Sequence, residues 1–213
     1  MPRAALLVAT AVAATVVIVG GGVVALDRDD DEPTPAKESF ATTPLAEFDA
    51  TGVVVAREAY CDGIDERQVS AALDDDPADS SSWENGDTID LGNGAEDVAH
   101  EFGCRYTAAD GTVAQAWVFA PPVDAAGAER LVKAAGKATG CEVGSGPALG
   151  APTLALTCTK DGVVRASYRG LFGDAWLVCE VARPAGAEWD VVDRAGRWCV
   201  GVLQAAQPAA SRG

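Results

Sequence analysis

The sequence holds a single histidine, His100, and that scarcity excludes more chemistry than any residue present suggests. One imidazole cannot supply the mixed cysteine and histidine ligand set of a common zinc site. Nucleophilic catalysis needs a nucleophile, a base and an orienting group within reach of one another. No serine stands in a Gly-x-Ser-x-Gly elbow, and Gly144-Ser145-Gly146 lacks the spacing. Ser145 therefore reads as a loop residue and His100 as an ordinary surface or helix-end residue. No Cys-x-x-Cys occurs, which removes the usual redox motif. Basic residues are also few: 16 Lys and Arg stand against 32 Asp and Glu, for a net charge of −16. Such a surface repels phosphate backbones and anionic headgroups, so nucleic acid is not an expected partner, whereas cations and basic proteins are favoured. No cofactor is implied.

What is present is an ordinary globular composition, 48% hydrophobic and 23% charged over 213 residues, which suits one domain with a buried core. An unbroken apolar run, Ala4 to Leu26, follows Arg3 and precedes Asp27-Arg28-Asp29-Asp30-Asp31-Glu32. About 20 apolar residues span a bilayer as a helix, while a signal-peptide core is usually about 7–15 residues long. The run is expected to be an uncleaved signal-anchor over 1–26, the membrane contact being residues 4–26. Arg3 on its N-terminal side places the N-terminus in the cytoplasm and the remainder outside. Cleavage near Val23-Val24-Ala25 is the alternative and would release a secreted protein. The first cysteine is Cys61, so no lipid-bearing cysteine sits at the end of the run. Residues 27–48, rich in Asp, Glu, Pro and Thr, read as a solvated linker. Residues 49–207 form the extracytoplasmic domain, and 208–213 a disordered tail.

Six cysteines, Cys61, Cys104, Cys141, Cys158, Cys179 and Cys199, all follow the membrane run. An even count outside the cell supports three structural disulfides. Sequence alone leaves many pairings open; element order favours neighbours, namely Cys61 with Cys104, Cys141 with Cys158 and Cys179 with Cys199.

The elements expected are a short strand at Val53-Val54-Val55, a helix over 65–73 capped by Asp65, and a long acidic loop over 74–97. Strands Gly103 to Thr107 and Thr112 to Ala120 join across Asp110-Gly111, a hairpin signal. Asp124 caps a helix whose Ala128, Leu131, Val132 and Ala135 share one face. Strands follow at Thr153 to Thr159, Val163 to Tyr168 and Ala175 to Val181, and the last helix runs from about Trp189 to Leu203. Cys104, Asp110-Gly111 and Ala116-Trp117-Val118 are echoed by Cys158, Asp161-Gly162 and Ala175-Trp176-Leu177, which suggests a duplicated strand-strand-helix unit. The fold expected is α+β, an antiparallel sheet with helices packed on one face.

Candidate functional residues are few. Carboxylate pairs could serve a hydrolase, but a chain this acidic offers them everywhere. Asp87, Asp90, Asn93 and Asp97 alternate with glycines without matching a calcium loop. Phe172 and Trp176 read as core residues or as a partner-binding ridge. Trp83, among serines in the acidic loop, either folds back as a lid or waits for a ligand, and is the candidate partner contact.

Tyr60-Cys61-Asp62, the Val69 to Leu73 helix, Gly103-Cys104-Arg105-Tyr106 and Arg197-Trp198-Cys199 together resemble uncharacterised secreted or membrane-anchored envelope proteins of high-GC actinobacteria. Many of those are lipoproteins, and this chain departs from them by lacking the lipobox cysteine. The resemblance implies a place, the cell envelope, and no reaction. The expected role is non-enzymatic: binding an envelope protein, peptide or wall component, or a structural part there. A secreted hydrolase using a carboxylate pair and a calcium-dependent sensing or adhesion domain are the alternatives.

Overall fold

The computed structural model describes residues 40–90 and 94–208. The apolar run 4–26, most of the linker and nearly all of the tail lie outside the described residues. No helix among those described is long and apolar enough to cross a membrane.

Nine strands and three helices make up the described chain. A 3-10 turn at Leu45–Glu47 and another at Cys61–Gly63 precede α1 (Glu66–Leu73). Strands β1 (Asp79–Trp83), β2 (Thr88–Asp90), β3 (Glu96–Val98), β4 (Glu101–Thr107) and β5 (Val113–Phe119) come next, then α2 (Ala125–Ala135). The remainder is β6 (Cys141–Gly144), β7 (Thr153–Lys160), β8 (Val163–Phe172), β9 (Ala175–Pro184) and α3 (Val191–Ala205). Seven strands form one antiparallel sheet in the order β1-β4-β5-β9-β8-β7-β6, and β2 with β3 forms a separate hairpin.

Local chemistry accounts for the turns and caps. Asp65, Asp124 and Asp190 each accept from a backbone N–H in the first turn of α1, α2 and α3, satisfying donors that a helix start leaves orphaned. Asp161 and Gly162 both adopt positive φ (50° and 76°) between the paired Lys160 and Val163. A two-residue hairpin turn needs that conformation at both positions.

The main core lies between one sheet face and α1 with α3. Ala114, Ala116, Val118, Leu177, Cys179 and Val181 meet Val69, Leu73, Ala195, Trp198 and Val202 there. Trp198 is fully buried, donates from Nε1 to Gln115 O at 3.0 Å, and stands edge-on to Tyr106 with ring centres 5.9 Å apart. Helices α1 and α3 approach closely because Gly201 gives room for the Gln68 side chain, whose Nε2 donates to Arg197 O at 3.0 Å.

Three expectations are corrected. First, the helices do not share one face: α2 packs on the opposite side, where Ala128 joins Leu171, Trp176 and Val178 in a second core flanked by Trp117, Phe119, Leu131 and Val132. The alternation of β9 explains it, since Leu177 and Cys179 point one way and Trp176 and Val178 the other. The duplicated strand-strand-helix unit fails in packing and also in element order, since two strands (β4, β5) precede α2 whereas three (β7, β8, β9) run from Cys158 to α3. Second, residues 53–55 form no strand; Val55 is buried, and the segment is tied by Ala56 N donating to Ala206 O at 2.8 Å. Third, the stretch 74–97 contains β1 and the β2–β3 hairpin. Leu45, within the segment read as linker, is 4% exposed and sits against Gly196 of α3, so the end of that segment is folded.

All three expected disulfides form. Cys61–Cys104 fastens the second 3-10 turn to β4, with Cα atoms 5.9 Å apart. Cys141–Cys158 joins directly opposed residues of β6 and β7, with Cα atoms 4.0 Å apart. Cys179–Cys199 pins α3 to β9 at 5.6 Å.

Candidate functional site

Strand β1 is an edge. It pairs with β4 from Asp79↔Thr107 to Trp83↔Gly103, and among the described residues its other side meets no strand. Its sequence, Asp-Ser-Ser-Ser-Trp, is exposed except at Trp83, which is half-buried. An unpaired edge offers a row of backbone donors and acceptors to any extended chain that lies beside it.

A groove runs along this edge, made by α1, the Cys61–Gly63 turn and β1. One hollow of about 600 Å³ is lined by Asp62, Glu66, Ser70, Asp76, Ser80 and Tyr106, among others. A second of about 320 Å³ continues past Asp62 to Tyr60, Ser82, Trp83 and Glu84. The Cys61–Cys104 bridge holds the two walls together. Ser80 and Ser82 lie opposite Tyr106 and Cys104, so alternation turns them to the α1 side. Among the described residues, four carboxylates line the two hollows and no lysine or arginine does. The Asp76 carboxylate is oriented by Ser70, whose hydroxyl donates to Oδ1 at 3.0 Å.

One polar atom at the groove has no partner among the described residues, the buried Tyr60 hydroxyl; Trp83 Nε1 is also buried and unpartnered, but alternation with Ser82 puts it on the opposite sheet face. Burial pushes the Tyr60 hydroxyl well above the ordinary phenol value, with Tyr106 adding to the shift. Tyr106 is raised too, first by burial and then by the charge of Asp62. The floor is thus kept neutral while the rim is anionic. Such a site can accept hydrogen bonds from backbone amides and attract ammonium or guanidinium groups.

Trp83 folds back. Its six-membered ring covers Gly103 on the α2 side of the sheet, where any side chain would collide with it, so the side chain is spent on the sheet and turned away from the groove. Phe172 and Trp176 are buried, 7% and 2% exposed, in the main and second cores respectively. His100 and Ser145 are exposed. Asp87 Oδ2 accepts from Glu84 N at 2.7 Å and Asp97 Oδ1 from Val98 N at 2.8 Å, local turn bonds, while Asn93 lies outside the described residues. Among the described residues no group of three or more His, Cys, Asp or Glu is placed to hold a metal ion.

The larger depression, about 790 Å³ around the start of α2, is less suited to a ligand. Its two acids are already engaged, Asp124 by Gly127 N at 2.6 Å and Asp174 by Arg57 at 3.0 Å. Sequence reading identified Trp83 and the cysteines of this region but missed Tyr60, Asp62 and the serine edge. Tyr60 directly precedes a bridged cysteine, a position that fixes an aromatic ring close to whatever that cysteine staples.

A scan against protein-family models found no match for this chain, and a search of the curated proteins found none either.

Proposed function

We propose that this protein is a membrane-anchored extracytoplasmic module of the cell envelope, with a non-enzymatic role in which the β1 groove binds an extended, basic protein segment. The apolar run 4–26 would hold it in the membrane, with the N-terminus cytoplasmic. Three disulfides hint at an oxidising compartment. The observation that carries the binding role is that, among the described residues, the edge of β1 is unpaired and lies beside a groove lined by four carboxylates and no basic side chain. Strand addition supplies affinity through the main chain, and alternate side chains of the guest reach the acids.

The test is calorimetric titration of the full-length protein with a ten-residue peptide of alternating Lys and Val, in plain form and with alternate backbone nitrogens methylated. Saturable binding of the plain peptide alone, weakened by Asp62→Asn with Glu84→Gln, is the expected result. Equal binding of the methylated peptide, or no binding of either, would overturn strand addition.

A further inference from the structure

The sheet face on the α2 side carries a second cluster, remote from the groove. In direct cross-strand register stand Arg105 on β4, Gln115 on β5, Glu180 on β9 and Ser167 on β8. Arg165 and Arg169 flank Ser167 at two residues on either side, and so share its face. Arg105 Nη1 donates to Gln115 Oε1 at 3.1 Å, and Gln115 Nε2 to Glu180 Oε1 at 2.6 Å. Arg165 Nε meets the same Glu180 oxygen at 3.2 Å. Glu180 is 4% exposed, whereas the Arg165 side chain is 51% exposed and Arg105 is exposed.

Arg169 is the unexplained member. Its Nε is buried with no hydrogen-bond partner among the described residues. Burial lowers its pKa, the Glu180 charge works against that, and Arg165 adds to the lowering. A structural account of a buried glutamate needs one guanidinium to compensate it. Here Arg165 already pairs with the carboxylate, Arg169 lies within its field and Arg105 is joined to it through Gln115, so three guanidinium groups stand against one acid on a chain whose net charge is −16. Helix α2, on the same face, carries one exposed acid, Glu129, and two exposed cations, Arg130 and Lys133. By register the other acids that the strands put on this face, Asp79 and Glu101, lie toward the β1 side, away from Arg165 and Arg169.

Strands β4 and β8 are three spacings apart, roughly 14 Å, and Arg165 and Arg169 are separated by roughly 13 Å along β8. Arg105 and Arg165 reach Gln115 and Glu180 from opposite sides, and Arg169 stands on the same face with its Nε uncommitted among the described residues. Planar guanidinium forks match phosphate and carboxylate oxygens. The geometry points to an anion-binding platform at Arg105, Arg165 and Arg169 that takes a ligand carrying two or more phosphate or carboxylate groups. It is independent of the β1 groove and on the other side of the sheet from α1.

Isothermal titration of the full-length protein with inorganic pyrophosphate, and separately with citrate, at low ionic strength tests it. Saturable binding of at least one probe is expected, and the stronger of the two identifies the source as phosphate or carboxylate. Arg105→Gln, which leaves both bonds to Glu180 in place, should weaken binding roughly tenfold or more. Arg165→Lys with Arg169→Lys keeps the charge that Glu180 needs but loses the forks, and should weaken binding while the melting temperature holds. Binding of neither probe, or binding that survives both variants at its original strength, would overturn the platform.

Discussion

At Tyr60 a single buried atom sets both a stability and its pH dependence. The hydroxyl is enclosed and unpartnered, so the ring contributes packing while the oxygen contributes a desolvation cost. Tyr60→Phe removes that cost, and stability at neutral pH is expected to hold or rise by on the order of 1 kcal/mol. The folded state also binds this proton more tightly than the unfolded chain, because burial raises the folded pKa. The sign follows: the contribution is complete below the unfolded value of about 10 and is lost as the pH climbs from there toward the folded value. Urea unfolding across alkaline pH should therefore show a shallower decline for Tyr60→Phe than for the parent. A loss of stability at neutral pH would mean that the hydroxyl has a partner after all. Gly170 on β8 tests packing of a different kind. A Cβ there would run into the backbone oxygen of the fully buried Leu149, a group held by its chain and unable to rotate away. Gly170→Ala is expected to cost about 1–3 kcal/mol in the same measurement, as overpacking does.

Among the elements, the three disulfides differ in what they hold. Cys179 and Cys199 are both fully buried where α3 crosses β9, and Cys141 and Cys158 are partly exposed at the β6 edge. Access governs thiol exchange, so limited dithiothreitol should open Cys141–Cys158 before Cys179–Cys199, as read by alkylation and peptide mapping. Replacing Cys179 and Cys199 together by Ala should cost about 2–4 kcal/mol; an unchanged urea midpoint would mean that packing alone fixes α3. The pairing was legible from the elements holding Cys104, Cys158, Cys179 and Cys199, with Asp110-Gly111 and Asp161-Gly162 marking turns; the 3-10 turn at Cys61 and strand β6 at Cys141 were not expected. What the period of the sequence did not reveal was the face on which α2 lies. The nearly continuous apolar run of β9, buried on both faces, was nevertheless a signal of two covered sides. Strand β1 escaped notice because three serines carry no apolar alternation; its pairing comes from β4. Val53-Val54-Val55 misled for the opposite reason, being rich in strand formers yet having no strand beside it.

For the molecule as a whole, the acidic excess has a geography. Acids crowd the first half of the chain, and from Phe102 onward the two signs come close to balance. The groove was hidden in the sequence because Asp62, Asp76, Glu84 and Tyr106 meet only after α1, β1 and β4 have assembled. The arginine platform was hidden in the same way, by register across four strands. Carboxylates brought together without counter-charges repel, and a binding surface of that kind is held at some expense of stability. Salt should relieve it. Raising sodium chloride from about 10 mM to about 150 mM shortens the screening length from roughly 30 Å to 8 Å, and the melting temperature of the full-length protein should rise. Asp62→Asn with Glu84→Gln should raise it at low salt too, by removing two of the four groove acids, and the gap between variant and parent should close as salt is added. A melting temperature that falls with salt would mean that attractive pairs such as Arg194–Asp74 and Arg57–Asp174, at 3.0 Å each, outweigh the repulsion. A gap that persists at high salt would mean that the two side chains act through packing and hydrogen bonds, and the groove would then lack the field on which recognition of a basic segment depends.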